Sequence, residues 1–199
     1  MTNETGRIEA FSDGVFSIAA TLLVLELKRP AAGMPFWLGI LHQWPGYVSF
    51  LMSFLYIGIM WINHHRLFTH IHGTDDVLMV ANLLVLLGVV WIPYPTLLMA
   101  EALAGGSIHE AAIFYNGSYV VLALLFNLLL LASVRRGLVD RSYVGVQDIA
   151  KRFALGPMAY GVTFAITWWS VPVSLALNAG LALFYLLSPD KRARVSRRS

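Results

Sequence analysis

Long apolar runs constrain this chain more than any other feature. Six of them, at about residues 8–28, 45–68, 76–99, 109–134, 153–170 and 172–188, approach the roughly 20 residues that a helix needs to cross a bilayer. Of the 199 residues, 58% are hydrophobic and only 13% are charged; a water-soluble domain carries about 45–50% and about 25%. In lipid every backbone N–H and C=O must be bonded inside the protein, so apolar spans of this length are helices. The expected fold is all-α: a polytopic membrane protein with six transmembrane helices in one domain over residues 1–190, followed by a basic tail at 191–199. The last two runs are short and meet at Ser170-Val171-Pro172, as a tight hairpin or as one interrupted element. The first run carries Asp13 and Glu26 and has no basic stretch before it beyond Arg7, so it does not read as a signal peptide.

Six crossings place both termini on one side. Twelve of the fourteen basic residues fall on that side, from Arg7 and Arg66 through Arg135, Arg136, Arg141, Lys151 and Arg152 to the tail. Only Lys28 and Arg29 fall on the other. The excess of Lys and Arg in cytoplasmic loops then makes both termini cytoplasmic and sends the first helix outward. The tail, Lys191 to Arg198, acts as a topology anchor or meets anionic lipid. The basic pI of about 9.3 is explained by loops and tail, not by nucleic-acid binding. Trp37, Trp44, Trp168 and Trp169 stand near expected outer ends and read as interfacial anchors, and Pro93 and Pro95 are expected to end the third span.

The first helix is the most structured in its pattern. Phe11, Val15, Ile18, Leu22 and Leu25 follow a 4-3-4-3 spacing and fall within about 80° of one another at 100° per residue. Such a narrow seam is how helices meet copies of themselves around an axis. It also suits ordinary packing. Asp13 lies about 200° from Phe11 and should point back into neighbouring helices. Glu26 sits near the seam at its outer end. If the seam lines an axial pore, rings of Ile18, Leu22 and Leu25 form a hydrophobic constriction roughly 10 Å long.

The pattern Arg7-x-x-x-Phe11-Ser12-Asp13, at the start of the first of six spans, resembles the lysosomal potassium-channel family, and more closely its prokaryotic single-repeat members. Trp61-Ile62-Asn63-His64-His65-Arg66 on the second span supports the resemblance. It implies a homotetrameric, potassium-permeable channel in a prokaryotic plasma membrane, lined by the first helix and lacking the Thr-Val-Gly-Tyr-Gly filter of ordinary potassium channels. It further implies Ile18 as the main constriction, Leu22 and Leu25 as added apolar rings, and Thr21 as a pore-adjacent hydroxyl position bearing on selectivity. Glu26 would gather cations at the outer mouth.

Asp13 needs a buried donor, and Trp61, Asn63, His64 and His65 lie at its depth because the second helix runs back inward. Asn82 and Trp91 on the third helix are further possibilities. Arg7 could pair with Glu9, Asp13 or a carbonyl, or could line the mouth. His64, His65, His70 and His72 match none of the usual metal spacings, so no metal or other cofactor is expected; they are interfacial polar groups or pH sensors. With no cysteine, no Gly-x-Ser-x-Gly and no paired catalytic carboxylates, an enzyme is not expected. The alternative to a potassium channel is a proton-conducting or proton-coupled protein using Asp13 and the histidines as a relay. Asn116-Gly117-Ser118 matches a glycosylation acceptor but lies in an apolar span, and Gly88, Gly117, Gly161 and Ser118 read as close-packing positions.

Overall fold

Without water in the bilayer core, each apolar run folds onto its own backbone as a helix. A computed structural model describes residues 4–30, 33–139 and 144–187, and these contain helices and no strand. Helix α1 (Glu4–Leu22) tightens into a single 3-10 segment (Leu23–Glu26), so the first span ends in a different helix type from the one expected. Then follow α2 (Phe36–His42), α3 (Trp44–Phe68), α4 (Asp76–Trp91), α5 (Pro93–Leu103), α6 (Ile108–Arg135), α7 (Val144–Thr167) and α8 (Val171–Leu187). Among the described residues, four stretches are long and apolar enough to cross a membrane: Thr5–Glu26, Trp44–Phe68, Asp76–Leu103 and Ile108–Arg135. Phe153–Thr167 and Val171–Tyr185 are apolar but shorter. The basic tail lies outside the described residues.

The third span corrects the expectation drawn from its prolines. Pro93 and Pro95 do not end it at residue 99. Pro93 stands at the first position of α5, where a missing N–H costs nothing, so the chain restarts its helix and runs on to Leu103. The N–H of Ile92 takes the Val89 carbonyl at 3.2 Å, and Thr96 Oγ1 donates to the Ile92 carbonyl at 2.7 Å. Helix α7 repairs its own proline differently. Pro157 has no N–H for the Phe153 carbonyl one turn earlier, and Asn127 Nδ2 of α6 donates to it instead at 2.7 Å. The short helix α2, in the link between the first two spans, was not anticipated at all.

Helix α6 packs against α4, α5, α7 and α8, while α1 packs on α3 and α4 at the edge. Between helices in lipid, close packing and polar contacts replace the hydrophobic drive. A Cβ on Gly88 would lie 2.8 Å from Leu122 Cδ1, and one on Gly117 3.3 Å from Phe164, so both glycines are close-packing positions. Gly161 has open space around it and is not. Ser53 of α3 joins Thr96 Oγ1 at 2.7 Å and the Tyr115 hydroxyl at 3.1 Å. Asn116 is buried at the junction of α6, α7 and α8. Its Nδ2 donates to Thr167 Oγ1 at 2.7 Å and Ser174 Oγ at 3.3 Å, and its Oδ1 accepts from Asn178 Nδ2 at 2.5 Å. The acceptor-like tripeptide is thus a core contact.

At the end where α1 begins, Asp75 caps α4 by accepting from the Leu78 N–H at 2.8 Å, and its other oxygen meets Arg136. The capping bond first, and then Arg136, hold its carboxyl below its ordinary 3.8. A depressed carboxylate stabilises the fold above the ordinary value and loses that contribution as the pH falls through its folded pKa. Acid melting of Asp75→Asn should therefore lack this part of the pH dependence below about pH 4, where wild type keeps it. Asn116→Leu should cost about 1–3 kcal/mol, since it strands Asn178 Nδ2 in the core. Thermal unfolding in detergent checks this, and an unchanged melt would remove Asn116 as a junction.

Candidate functional site

The site is α1 and the polar groups that hold it. One face of the helix is taken up by the bundle: Ser12, Phe16, Ala19 and Leu23 are buried at the 4-3-4 spacing of a single stripe. Asp13 and Glu9 flank that stripe. Asp13 Oδ1 accepts from the indole N–H of Trp61 at 2.8 Å, and Glu9 Oε1 meets His65 Nδ1 at 2.7 Å. Trp61 and His65 are one turn apart on α3 and their rings stack, with centroids 6.4 Å apart. The start of α1 is therefore clamped against the end of α3 by two adjacent acid–ring contacts.

Deeper in, a chain of hydrogen bonds crosses three helices. Ser12 Oγ donates to the Ile8 carbonyl at 2.8 Å. A hydroxyl has one proton, so Ser12 must accept from Asn82 Nδ2, which lies 3.0 Å away. Asn82 Oδ1 then faces His64 Nε2 at 2.8 Å, and that nitrogen must carry the imidazole proton. The polarity of the whole chain follows from one serine on one helical turn. His64 is fully buried, with Nδ1 free of hydrogen-bond partners among the described residues and its ring against Phe16 and Phe68. Ser12 and Asn82 thus fix α1 to α4, and His64 fixes α4 to α3. Among the expected residues, Trp61, His64 and His65 meet this network, whereas Asn63 faces a separate cavity with Asn127 and Tyr160. Trp91 is spent on Ser118 Oγ at 3.3 Å. Asn82 was only one of several possibilities in the sequence. Its role depends on a register between α1 and α4 that no local pattern encodes.

The opposite face of α1 is open. Phe11 is 57% exposed, Ile18 58%, Leu22 38% and Leu25 73%, and Arg7, Ser17 and Thr21 share the same side. Val15 departs from the expected seam: it is half-buried against the core, so the open stripe passes through Gly14 instead. Leu25 stays in line with Leu22 because residues three apart eclipse one another in a 3-10 turn. Thr21 Oγ1 donates to the Ile18 carbonyl at 2.9 Å, leaving its oxygen outward. Arg7 has no carboxylate partner among the described residues and lines a groove with Phe11, Met79 and Leu83. Glu26 is half-buried on the 3-10 turn, near Glu101, which Lys28 pairs at 2.6 Å.

A helix with one face bonded into an apolar bundle and a largely apolar stripe left open belongs to a membrane protein, and relatives say which. Residues 7–93 match the family model described as endosomal/lysosomal potassium channel TMEM175. A potassium channel of Streptomyces collinus is 44% identical over 191 residues, covering 92% of each chain. One of Chamaesiphon minutus is 41% identical, covering 93% of this chain and 95% of its own. The crystal structure of a lysosomal potassium-selective channel TMEM175 homolog from Chamaesiphon minutus superposes with a TM-score of 0.82, over 93% of this chain and 97% of that one. The chain belongs to the TMEM175 family. Its relatives are ion channels and not enzymes.

Ser12→Ala strands the Asn82 N–H in a fully buried position and should cost about 1–3 kcal/mol. Ser17→Ala, on the open face, should stay within about 0.5 kcal/mol. Paired thermal melts in detergent separate the two, and equal losses would contradict a one-sided anchor.

Proposed function

We propose that the chain is a potassium channel that assembles as a homotetramer, with α1 of each subunit lining the pore and both termini cytoplasmic. The single observation that supports it most is the open stripe of α1. A pore-lining helix must leave one continuous face free while its other face is fixed, and Ser12, Asp13 and Glu9 do the fixing here. Six crossings are proposed, with Phe153–Thr167 and Val171–Tyr185 as the short fifth and sixth. Antiparallel contacts gather Arg66 and Arg136 at the end where α1 begins, while Lys28 is at the other, which supports cytoplasmic termini. The expected location is the prokaryotic plasma membrane.

Ile18 forms the main constriction, and Leu22 and Leu25 extend it outward. Large aliphatic rings offer an ion nothing in place of its hydration shell, so a closed pore blocks by dewetting. Ions pass when the rings widen enough to admit water. Potassium sheds water more readily than sodium, so it is favoured, with the outward oxygens of Thr21 supporting it. Selectivity is then modest, on the order of 2–20-fold, worth under about 2 kcal/mol. Glu26 concentrates cations at the outer mouth, and membrane lipids surround the assembly. The acid–ring clamp, with Arg7 and Phe11 on the adjoining turns, positions α1 at its inner end.

A second reading, proton conduction through a relay of Asp13 and the histidines, takes its support from vertebrate relatives named as endosomal/lysosomal proton channels. The chicken protein is 31% identical over 105 residues, 48% of this chain and 21% of its own.

Flux through purified protein in liposomes tests both. Potassium efflux should exceed sodium efflux, and Ile18→Asn should raise flux or lower the preference. Folded protein that passes neither ion, in wild type and variant alike, sinks the channel. A current carried by protons alone promotes the relay.

A further inference from the structure

The link between the first two spans is more than a connector. Helix α2 leaves Phe36, Trp37, Leu38 and Leu41 exposed, and Trp44 follows them at the start of α3. Four large apolar side chains on so short an element, with a fifth just beyond it, all free of the bundle, need a partner. The topology says where that partner lies. The stretch Thr5–Glu26 ends just before α2 and Trp44–Phe68 begins just after it, so α2 is tethered at one boundary of the membrane-crossing bundle. Trp168 stands at the same end, its ring 5.9 Å from His109 at the start of α6. Tryptophan and phenylalanine at that depth match the boundary between headgroups and acyl chains, where an indole keeps its N–H wet and its ring dry.

The same helix grips the chain leaving α1. Gly39 lies so close to Pro30 that a Cβ there would sit 2.5 Å from Pro30 Cβ and 3.3 Å from its Cγ. A proline ring fused to the backbone cannot swing aside, so this contact tolerates only glycine. Gln43 Nε2 donates to the Arg29 carbonyl at 3.3 Å. Leu27 packs against Gly46, with a Cβ there reaching 3.4 Å from Leu27 Cδ2. Residues 27, 29 and 30 are thus seated on α2 and the first turn of α3, directly beyond the 3-10 turn that carries Leu25.

We propose that α2 lies in the outer phospholipid headgroup–acyl boundary as a lipid-bound elbow, and that Gly39 on Pro30 and Gln43 on Arg29 transmit its position to the outer end of α1. Interfacial helices bury their apolar face about 5–10 Å into this boundary. The bilayer then sets the position of the outermost apolar ring. This second half rests on the reading of α1 as the pore helix; the lipid contact itself does not.

The chain contains no cysteine, so single-cysteine labelling needs no background changes. Spin labels at Trp37→Cys and Leu41→Cys are compared with one at exposed Ser107→Cys, each in phosphatidylcholine vesicles. Labels 37 and 41 should collide more with oxygen than with a water-soluble nickel chelate, and label 107 the reverse. Chelate access at 37 and 41 equal to that at 107 overturns the lipid contact. Labels immobile and shielded from both quenchers also overturn it, in favour of a second copy covering α2. Gly39→Ala should then change potassium flux several-fold while labels 37 and 41 keep their depth. Gln43→Leu, which cannot clash with Pro30, should shift flux in the same direction by less. Flux unchanged in both overturns the coupling. Wild type with no flux at all fails the pore reading instead and leaves the label depths to judge α2.

Discussion

One hydroxyl proton orders this structure. Ser12 has a single proton to give and places it on the Ile8 carbonyl, and its oxygen therefore receives Asn82, which in turn receives His64. That sequence of donors and acceptors has one polarity and one rotational setting of α1. In a low-dielectric interior a reversed or half-made network would leave polar groups unpaired, which costs more than the bonds are worth when made. The rotation of α1 is thus held by polar chemistry together with the buried Phe16, Ala19 and Leu23, and the open stripe is what remains after the anchor is satisfied.

This division recurs through the bundle. Where helices must keep a fixed relation, the contact is polar: Asn116 with Thr167, Ser174 and Asn178, Ser53 with Thr96 and Tyr115, Asn127 with the carbonyl that Pro157 frees. The faces left open carry large apolar side chains, on α1 with Arg7, Ser17 and Thr21 beside them and on α2 as Phe36, Trp37, Leu38 and Leu41. In a membrane, apolar surface alone cannot tell a helix from lipid, so specificity has to come from polar pairs and close glycine packing, as at Gly88 on Leu122. The apolar faces remain free to meet whatever the assembly or the bilayer supplies.

Legibility in the sequence followed the range of each interaction. The helix positions were readable because bilayer length and backbone satisfaction are local demands. The stripe of Phe11, Ile18, Leu22 and Leu25 was readable because 3.6-residue periodicity is local too. Val15 was misassigned because its half-burial depends on how close α1 packs on its neighbours. Pro93 and Pro95 read as a stop and proved to be a restart, because a proline at a first helical position and one in an interior look alike until the flanking turns are seen. Trp61 could be suspected as the donor to Asp13 from depth alone. The choice among Trp61, Asn63, His64 and His65 needed the register of α1 on α3.

The sequence alone thus determined an all-helical bundle, the seam on its first helix and the motif residues that mark its family, since each depends on spacing along one chain. The tertiary structure decided which polar group meets which, that Asn82 is the link between Ser12 and His64, and that α2 grips the segment leaving α1. Those depend on side chains from distant segments arriving within about 3 Å with matched donors and acceptors, a condition that periodicity cannot express.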